Sequence, residues 1–233
     1  MERRQGIISV FDKDGIVEFC ESVSSHFDFI STGKTATILK ASNIPVTKVS
    51  DFTGYPEILG GRVKTLHPSI MGGILGTTKQ KSELEQMNLH PFGLVVANLY
   101  PFEQVIAQQH SITDAIENID IGGVTLLRAA AKNYPEVLVV SSPSDYERVA
   151  AAITNESITQ ELRKELAVKA FHHTAKYDIA ISRYFSSDAR KSTRRVMGFE
   201  NPQDLRYGEN WHQEAKYYLN PGADPFYKQI HGK

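Results

Sequence analysis

Cysteine occurs once in 233 residues, tryptophan once, and neither sign of charge prevails, with 26 Lys and Arg against 27 Asp and Glu. A single cysteine forms no internal disulfide, and Cys20 falls among apolar residues at helical spacing, so a buried, inert thiol is expected. A formal net charge of −1 gives no global field toward nucleic acid or anionic membrane. Neither is expected as a partner, and any anion must be held locally. Long apolar runs are missing as well. No stretch approaches a membrane span, and the Met1-Glu-Arg-Arg start lacks the apolar core of a signal peptide, so a soluble, cytoplasmic protein is expected. Metal-ligand spacing is absent too: His172 and His173 are adjacent and face different directions on a helix, and no nucleophile elbow or Ser-His-Asp order occurs.

What is present is alternation. Gly6–Val10, Phe27–Ile30, Val46–Val49, Leu94–Leu99 and Val137–Val140 read as strands. Between them Ile16, Phe19, Cys20 and Val23, then Ile38 and Leu39, then Val105, Ile106, Ile112 and Ile116, recur at helical spacing. The pattern predicts an α/β fold with a mainly parallel, doubly wound sheet, whose ligands sit at the carboxyl ends of strands. A helical extension runs from about Pro143 to Ser186, with Leu162, Leu166, Ala170 and Phe171 on one face. Three regions follow: a domain over 1–186, a solvated basic linker over 187–198, and over 199–233 a segment rich in Tyr, Pro, Asn and Gly that reads as the start of a second, incomplete domain.

Several segments place reactive groups where strands end. Ser31-Thr32-Gly33-Lys34-Thr35 joins a strand to a helix and sets hydroxyls, a glycine and an ammonium beside free helix N–H groups. It suits a phosphate monoester, or it is an ordinary capped turn. A triphosphate loop is disfavoured because that motif needs glycine where Asp28 stands. Ser9, Asp12 and Lys13 reach the same edge. Gly60 to Pro68 alternates Arg62 and Lys64, which would point the same way if extended, and adds Thr65 and His67. Glycines 72, 73 and 76 suggest a backbone that approaches a ligand; the bland alternative is a solvated basic loop. Asn98 and Tyr100 close the fourth strand. Asp120 to Asn133 carries a carboxylate, the Gly122-Gly123 pivot, an Ala-rich helix and Lys132. This is either a capped core helix with a charge at each end or one side of a site. A straight helix would hold Asp120 and Lys132 roughly 18 Å apart.

Ser9-Val-Phe-Asp-Lys13, Ser31-Thr-Gly33, Gly61 to Pro68, Asn98-Leu-Tyr-Pro-Phe102 and Asp120 to Asn133 together resemble the N-terminal, methylglyoxal-synthase-like IMP cyclohydrolase domain of the bifunctional AICAR transformylase/IMP cyclohydrolase family. Leu205 to Asn210 with His212-Gln213 is similar to the opening of the transformylase domain. Lys34 and Phe11 stand where the family pattern has glycine and serine, and Trp211 where it has proline. The resemblance implies ring closure of 5-formamidoimidazole-4-carboxamide ribonucleotide to inosine monophosphate (IMP) with loss of water, at the end of purine biosynthesis. It implies Lys64, Tyr100, Asp120 and Lys132 as catalytic residues. Ser9, Lys13, Ser31, Thr32, Gly33, Lys34, Thr35, Arg62, Thr65, Asn98, Ile121, Gly122 and Gly123 would bind substrate and phosphate. It further implies a homodimer, no metal or organic cofactor for cyclisation, and 10-formyltetrahydrofolate only for a transformylase part that this chain does not complete. Two rival readings share the implied fold: a methylglyoxal-synthase-type lyase, and a noncatalytic nucleotide-sensing module.

Overall fold

The computed structural model describes residues 3–186, 198 and 200–219. In chain order, β1 (Arg4–Ser9) leads to α1 (Ile16–Val23), β2 (Phe27–Ser31), α2 (Gly33–Ala41) and β3 (Val46–Lys48). Three short helices follow, α3 (Val49–Thr53), α4 (Pro68–Leu75) and α5 (Lys81–Gln86), before β4 (Phe92–Ala97). Then come α6 (Phe102–Ala107), α7 (Ile112–Glu117), α8 (Gly122–Lys132), β5 (Leu138–Val140), α9 (Tyr146–Thr154) and α10 (Gln160–Phe185). The five strands expected from the sequence are the five strands of the sheet.

These strands form one all-parallel sheet in the order β3-β2-β1-β4-β5. Their continuous apolar runs follow from burial on both faces: every residue of β4 and β5 is buried. The crossovers from β1 through β2 to β3 carry α1 and α2, and those running the other way carry α4 and α8. Right-handed connections put the two sets on opposite faces. Accordingly α1 packs on α2 and α9, while α4 packs on α8. Cys20 is buried in α1, and that burial pushes its thiol pKa up to about 12, as expected of an inert group.

Two expectations about packing need correction. Phe171 is exposed and lies under the Arg128 guanidinium, 5.7 Å from its ring centroid, whereas Leu166 and Ala170 are buried. At about 100° per residue, Phe171 is turned off the stripe that those two define. Glycines 72, 73 and 76 serve helix packing instead of a ligand. A Cβ on Gly73 would lie 2.3 Å from the His90 carbonyl oxygen, one on Gly72 2.8 Å from Leu89, and one on Gly76 2.7 Å from Leu84.

The chain divides into two compact units, Met1–Ala175 and Lys176–Lys233, with the division inside α10. In the second unit β6 (Glu200–Leu205) and β7 (Ala215–Leu219) form an antiparallel pair, with a Lys216–Asp204 ion pair at 3.0 Å. The expected linker, apart from Gly198, lies outside the described residues, as do residues 199 and 220–233 of the expected second domain. Among the described residues no helix is long and apolar enough to cross a membrane.

Candidate active site

The sheet changes direction of winding at β1, which pairs with β2 on one side and β4 on the other. At such a point the chain leaves neighbouring strands in opposite directions and opens a crevice at their carboxyl ends. A cavity of about 490 Å³ opens there, lined by Ser9 at the end of β1, Thr32 after β2, Tyr100 after β4, residues 60–62 and 64–66, and residues 116, 117 and 119–123. Ser9 and Thr32 hydroxyls lie 3.5 Å apart. Thr32 caps α2 with extended backbone and makes no side-chain cap bond, and Gly33 takes a positive φ of 44°.

The stretch expected to be extended around Arg62 is a tight turn. An antiparallel bridge joins Ile58 to Val63, and Leu59–Gly61 forms a helical turn between them. The turn uses positive φ at Gly60 and Gly61 (65° and 86°), which glycine adopts without strain. Arg62 points its fork at Glu117, at the end of α7, in an exposed ion pair. Lys64 reaches Glu57 at 3.3 Å. Its ammonium also lies 3.9 Å from where a Cβ of Gly33 would stand, beside the start of α2.

Asp120 precedes α8. The Gly123 N–H donates to its Oδ1 at 2.7 Å, and the Tyr100 N–H also donates to the carboxylate. Burial raises its pKa above the ordinary carboxylate value; the two N–H donors and the positive charge of Lys64 partly offset that rise. A half-buried carboxylate that holds a proton more readily than usual is suited to exchange one. Gly123 makes the approach possible, since a Cβ there would lie 2.6 Å from Asp120 Oδ2. Tyr100 is half-exposed at the mouth, its ring 5.0 Å from that of Phe11.

Of the expected catalytic residues, Lys64, Tyr100 and Asp120 line this one cavity, and so do Ser9, Thr32, Arg62, Thr65, Ile121, Gly122 and Gly123. The others stand elsewhere. Ser31 is buried and donates to the Ile8 carbonyl at 2.6 Å, and Thr35 donates to the Val10 carbonyl at 3.1 Å. Asn98 accepts the Phe11 and Asp12 N–H groups at 2.6 and 2.9 Å and donates to the Asp12 carbonyl at 2.9 Å. Ser31 thus ties β2 to β1, and Thr35 and Asn98 fix the loop after β1. Lys13 donates to the Val10 and Phe11 carbonyls; burial foremost, then the charge of Lys34, lower its pKa, against the opposing effect of Asp12. Two ammonium groups near enough to repel give that turn a local positive potential. Lys132 is exposed in the last turn of α8, about 15 Å of helical rise from Gly122, and the structure does not bring it to the cavity.

Sequence reasoning missed Glu57, Glu117, Ile116 and Ile119. Gly60-Gly61 between Ile58-Leu59 and Arg62-Val63 is a turn signal that would have set Glu57 opposite Lys64. Nothing local foretold Glu117, which meets Arg62 from 55 residues away. Among the described residues no group of three or more His, Cys, Asp or Glu is arranged to hold a metal ion.

Fold and cavity together define an α/β protein with a pocket at the switch point of a parallel sheet, lined by two cations and two carboxylates. Residues 15–125 match the model of the MGS-like domain, and residues 130–233 match that of the AICARFT/IMPCHase bienzyme. The chain belongs to the AICARFT/IMPCHase bienzyme family, with the MGS-like domain in its first half. It is 47% identical over 241 aligned residues to the bifunctional purine biosynthesis protein PurH of Oceanobacillus iheyensis, covering 99% of this chain and 47% of that protein. Against PurH of Halalkalibacterium halodurans it is 46% identical over 243, covering 99% and 48%. The chain thus spans about half the length of the curated relatives it matches. The crystal structure of ForH superposes with a TM-score of 0.70 at 29% identity, covering 79% of this chain and 97% of that one.

Proposed function

We propose that the chain is an IMP cyclohydrolase, closing 5-formamidoimidazole-4-carboxamide ribonucleotide to IMP with loss of water. The observation that carries the reading is that Lys64, Tyr100 and Asp120 line one cavity at the switch point of the sheet. A carboxamide nitrogen is a weak nucleophile and must lose a proton as it attacks. The Asp120 carboxylate takes that proton while the carbon–nitrogen bond forms. The formyl oxygen becomes an alkoxide, which the Lys64 ammonium and the Tyr100 hydroxyl stabilise by donation. Proton return from Asp120 makes this oxygen a hydroxyl. It then departs as water together with the proton of the formamido nitrogen, leaving the new carbon–nitrogen double bond.

The turn at Thr32 and Gly33, with Lys13 and Lys34 behind it, would take the substrate phosphate, and Arg62 and Thr65 would contact the rest of the nucleotide. Both reacting groups belong to one molecule, so this reading calls on no cofactor. Lys132 is no part of it within a single subunit. A homodimer, a cytoplasmic location and a transformylase-like beginning at residues 199–233 belong to the same proposal. The test is to incubate the chain with the formylated ribonucleotide and follow IMP by ultraviolet absorbance. Appearance of IMP in proportion to added chain is expected; its absence overturns the reading.

A further inference from the structure

We infer that Glu57 is the residue that positions Lys64 in the cavity, an inference that rests on the cyclohydrolase reading. The bridge between Ile58 and Val63 has both backbone hydrogen bonds, at 3.2 and 3.4 Å. In an antiparallel pair this sets the next two residues outward, Glu57 and Lys64, opposite each other. Their side chains meet at 3.3 Å and are only 36% and 32% exposed. Partial burial gives such a contact more weight than an exposed ion pair has.

The turn is shaped around this contact. A Cβ on Gly61 would lie 2.6 Å from Lys64 Cε, 3.1 Å from its Nζ and 3.6 Å from Glu57 Oε2, so the lysine stem folds back across the bare glycine to reach the carboxylate. Lys64 lines the cavity and Glu57 does not. The carboxylate therefore holds the ammonium from outside and leaves the cavity side open to a ligand. Glu117 is the contrast: it lines the cavity together with its own cation, Arg62.

A lysine side chain has four rotatable carbons and much rotamer freedom to lose. The ion pair with Glu57 removes much of that freedom and keeps the ammonium at the cavity wall.

The experiment is a cycle of Glu57→Gln, Lys64→Ala and the double variant in the 233-residue chain, with kcat and KM from IMP formation. Glu57→Gln is expected to lower kcat about tenfold with KM changed by less than about twofold, because orientation at the reacting centre is lost and binding is not. It is expected to add nothing to Lys64→Ala. A second readout is brief acetylation followed by mass spectrometry at Lys64, which should be faster in Glu57→Gln. Full kcat, losses that multiply independently in the double variant, or unchanged acetylation each overturn the role of Glu57. No turnover in the unaltered chain overturns the cyclohydrolase reading instead, and acetylation then still decides whether Glu57 holds Lys64.

Discussion

Replacing Gly123 by alanine adds one methyl group at the narrowest point of the site. In most helices the change is favourable, by about 1 kcal/mol of intrinsic propensity. Here the new carbon would stand 2.6 Å from Asp120 Oδ2, 3.1 Å from its Cγ and 3.0 Å from Leu99 Cδ2. Leu99 is buried and cannot retreat cheaply, and overpacking of that kind costs about 1–3 kcal/mol. If Asp120 swings away instead, it loses the 2.7 Å bond from the Gly123 N–H, and a hydrogen bond to a charged group is worth about 1.5–3 kcal/mol. Whichever of the two gives way, subtracting the helix gain leaves Gly123→Ala destabilising the chain by about 0.5–2 kcal/mol. For a chain of this size that lowers the melting temperature by about 1–8 °C. Turnover should fall as well, because the carboxylate is displaced from the cavity. Thermal unfolding followed by circular dichroism, alongside IMP formation, reads both. A Gly123→Ala chain that melts no lower and turns over normally would refute the argument that the glycine seats Asp120.

Other expectations can be checked on the same material. Lys64→Ala should lower turnover by about 10²- to 10³-fold, the usual loss for one donor to a developing oxyanion, and normal turnover would remove Lys64 from the mechanism. The folded-state pKa of Asp120 lies above its ordinary value, so the folded chain binds that proton more tightly than the unfolded chain does. Its ionisation is then a cost to stability at pH above the raised value, relieved as pH falls through it. Asp120→Asn should therefore abolish turnover while melting at pH 7 at or above the temperature of the unaltered chain, and a lower melting temperature would contradict the sign. Asn98→Ala removes three hydrogen bonds to the loop after β1 and should cost about 2–4 kcal/mol, measured by urea unfolding. A loss below about 0.5 kcal/mol would show that the loop holds without the amide.

The strands were legible because parallel sheets bury both faces, and buried runs such as Leu94-Val-Val-Ala97 need no partner to be recognised. The grouping of Lys64, Tyr100 and Asp120 was legible through the family resemblance; the pattern itself put Tyr100 at a strand end and Asp120 at a helix start, and left Lys64 in a loop. Short-range patterns could not tell how a polar side chain divides itself between ligand and scaffold. Ser31, Thr35 and Asn98 have the chemistry of binding groups, yet the backbone of β1 and of the loop after it claims them. Nor could spacing tell a glycine that faces a ligand from one that admits a neighbouring side chain; Gly123 and Gly73 differ only in what lies across from them. Arg62 and Glu117 illustrate the remaining gap, because their meeting depends on how α7 is carried to the loop.

The central strand of the sheet is also the first in the chain. Gly6 lies beside Phe29 on one side and Leu94 on the other. The first partner is near in sequence, but the second must be brought across a long loop whose closure precedes any reward from pairing. As the chain is synthesised, the lining from Ser9, Thr32 and the segment 60–66 emerges first, and that from Tyr100 and the segment 116–123 only with β4 and the α7–α8 segment. The cavity is therefore complete only once β4 and the α7–α8 segment are in place. A nucleotide that fits the finished cavity would act on the last step of assembly, slowing its reversal and leaving the earlier steps untouched.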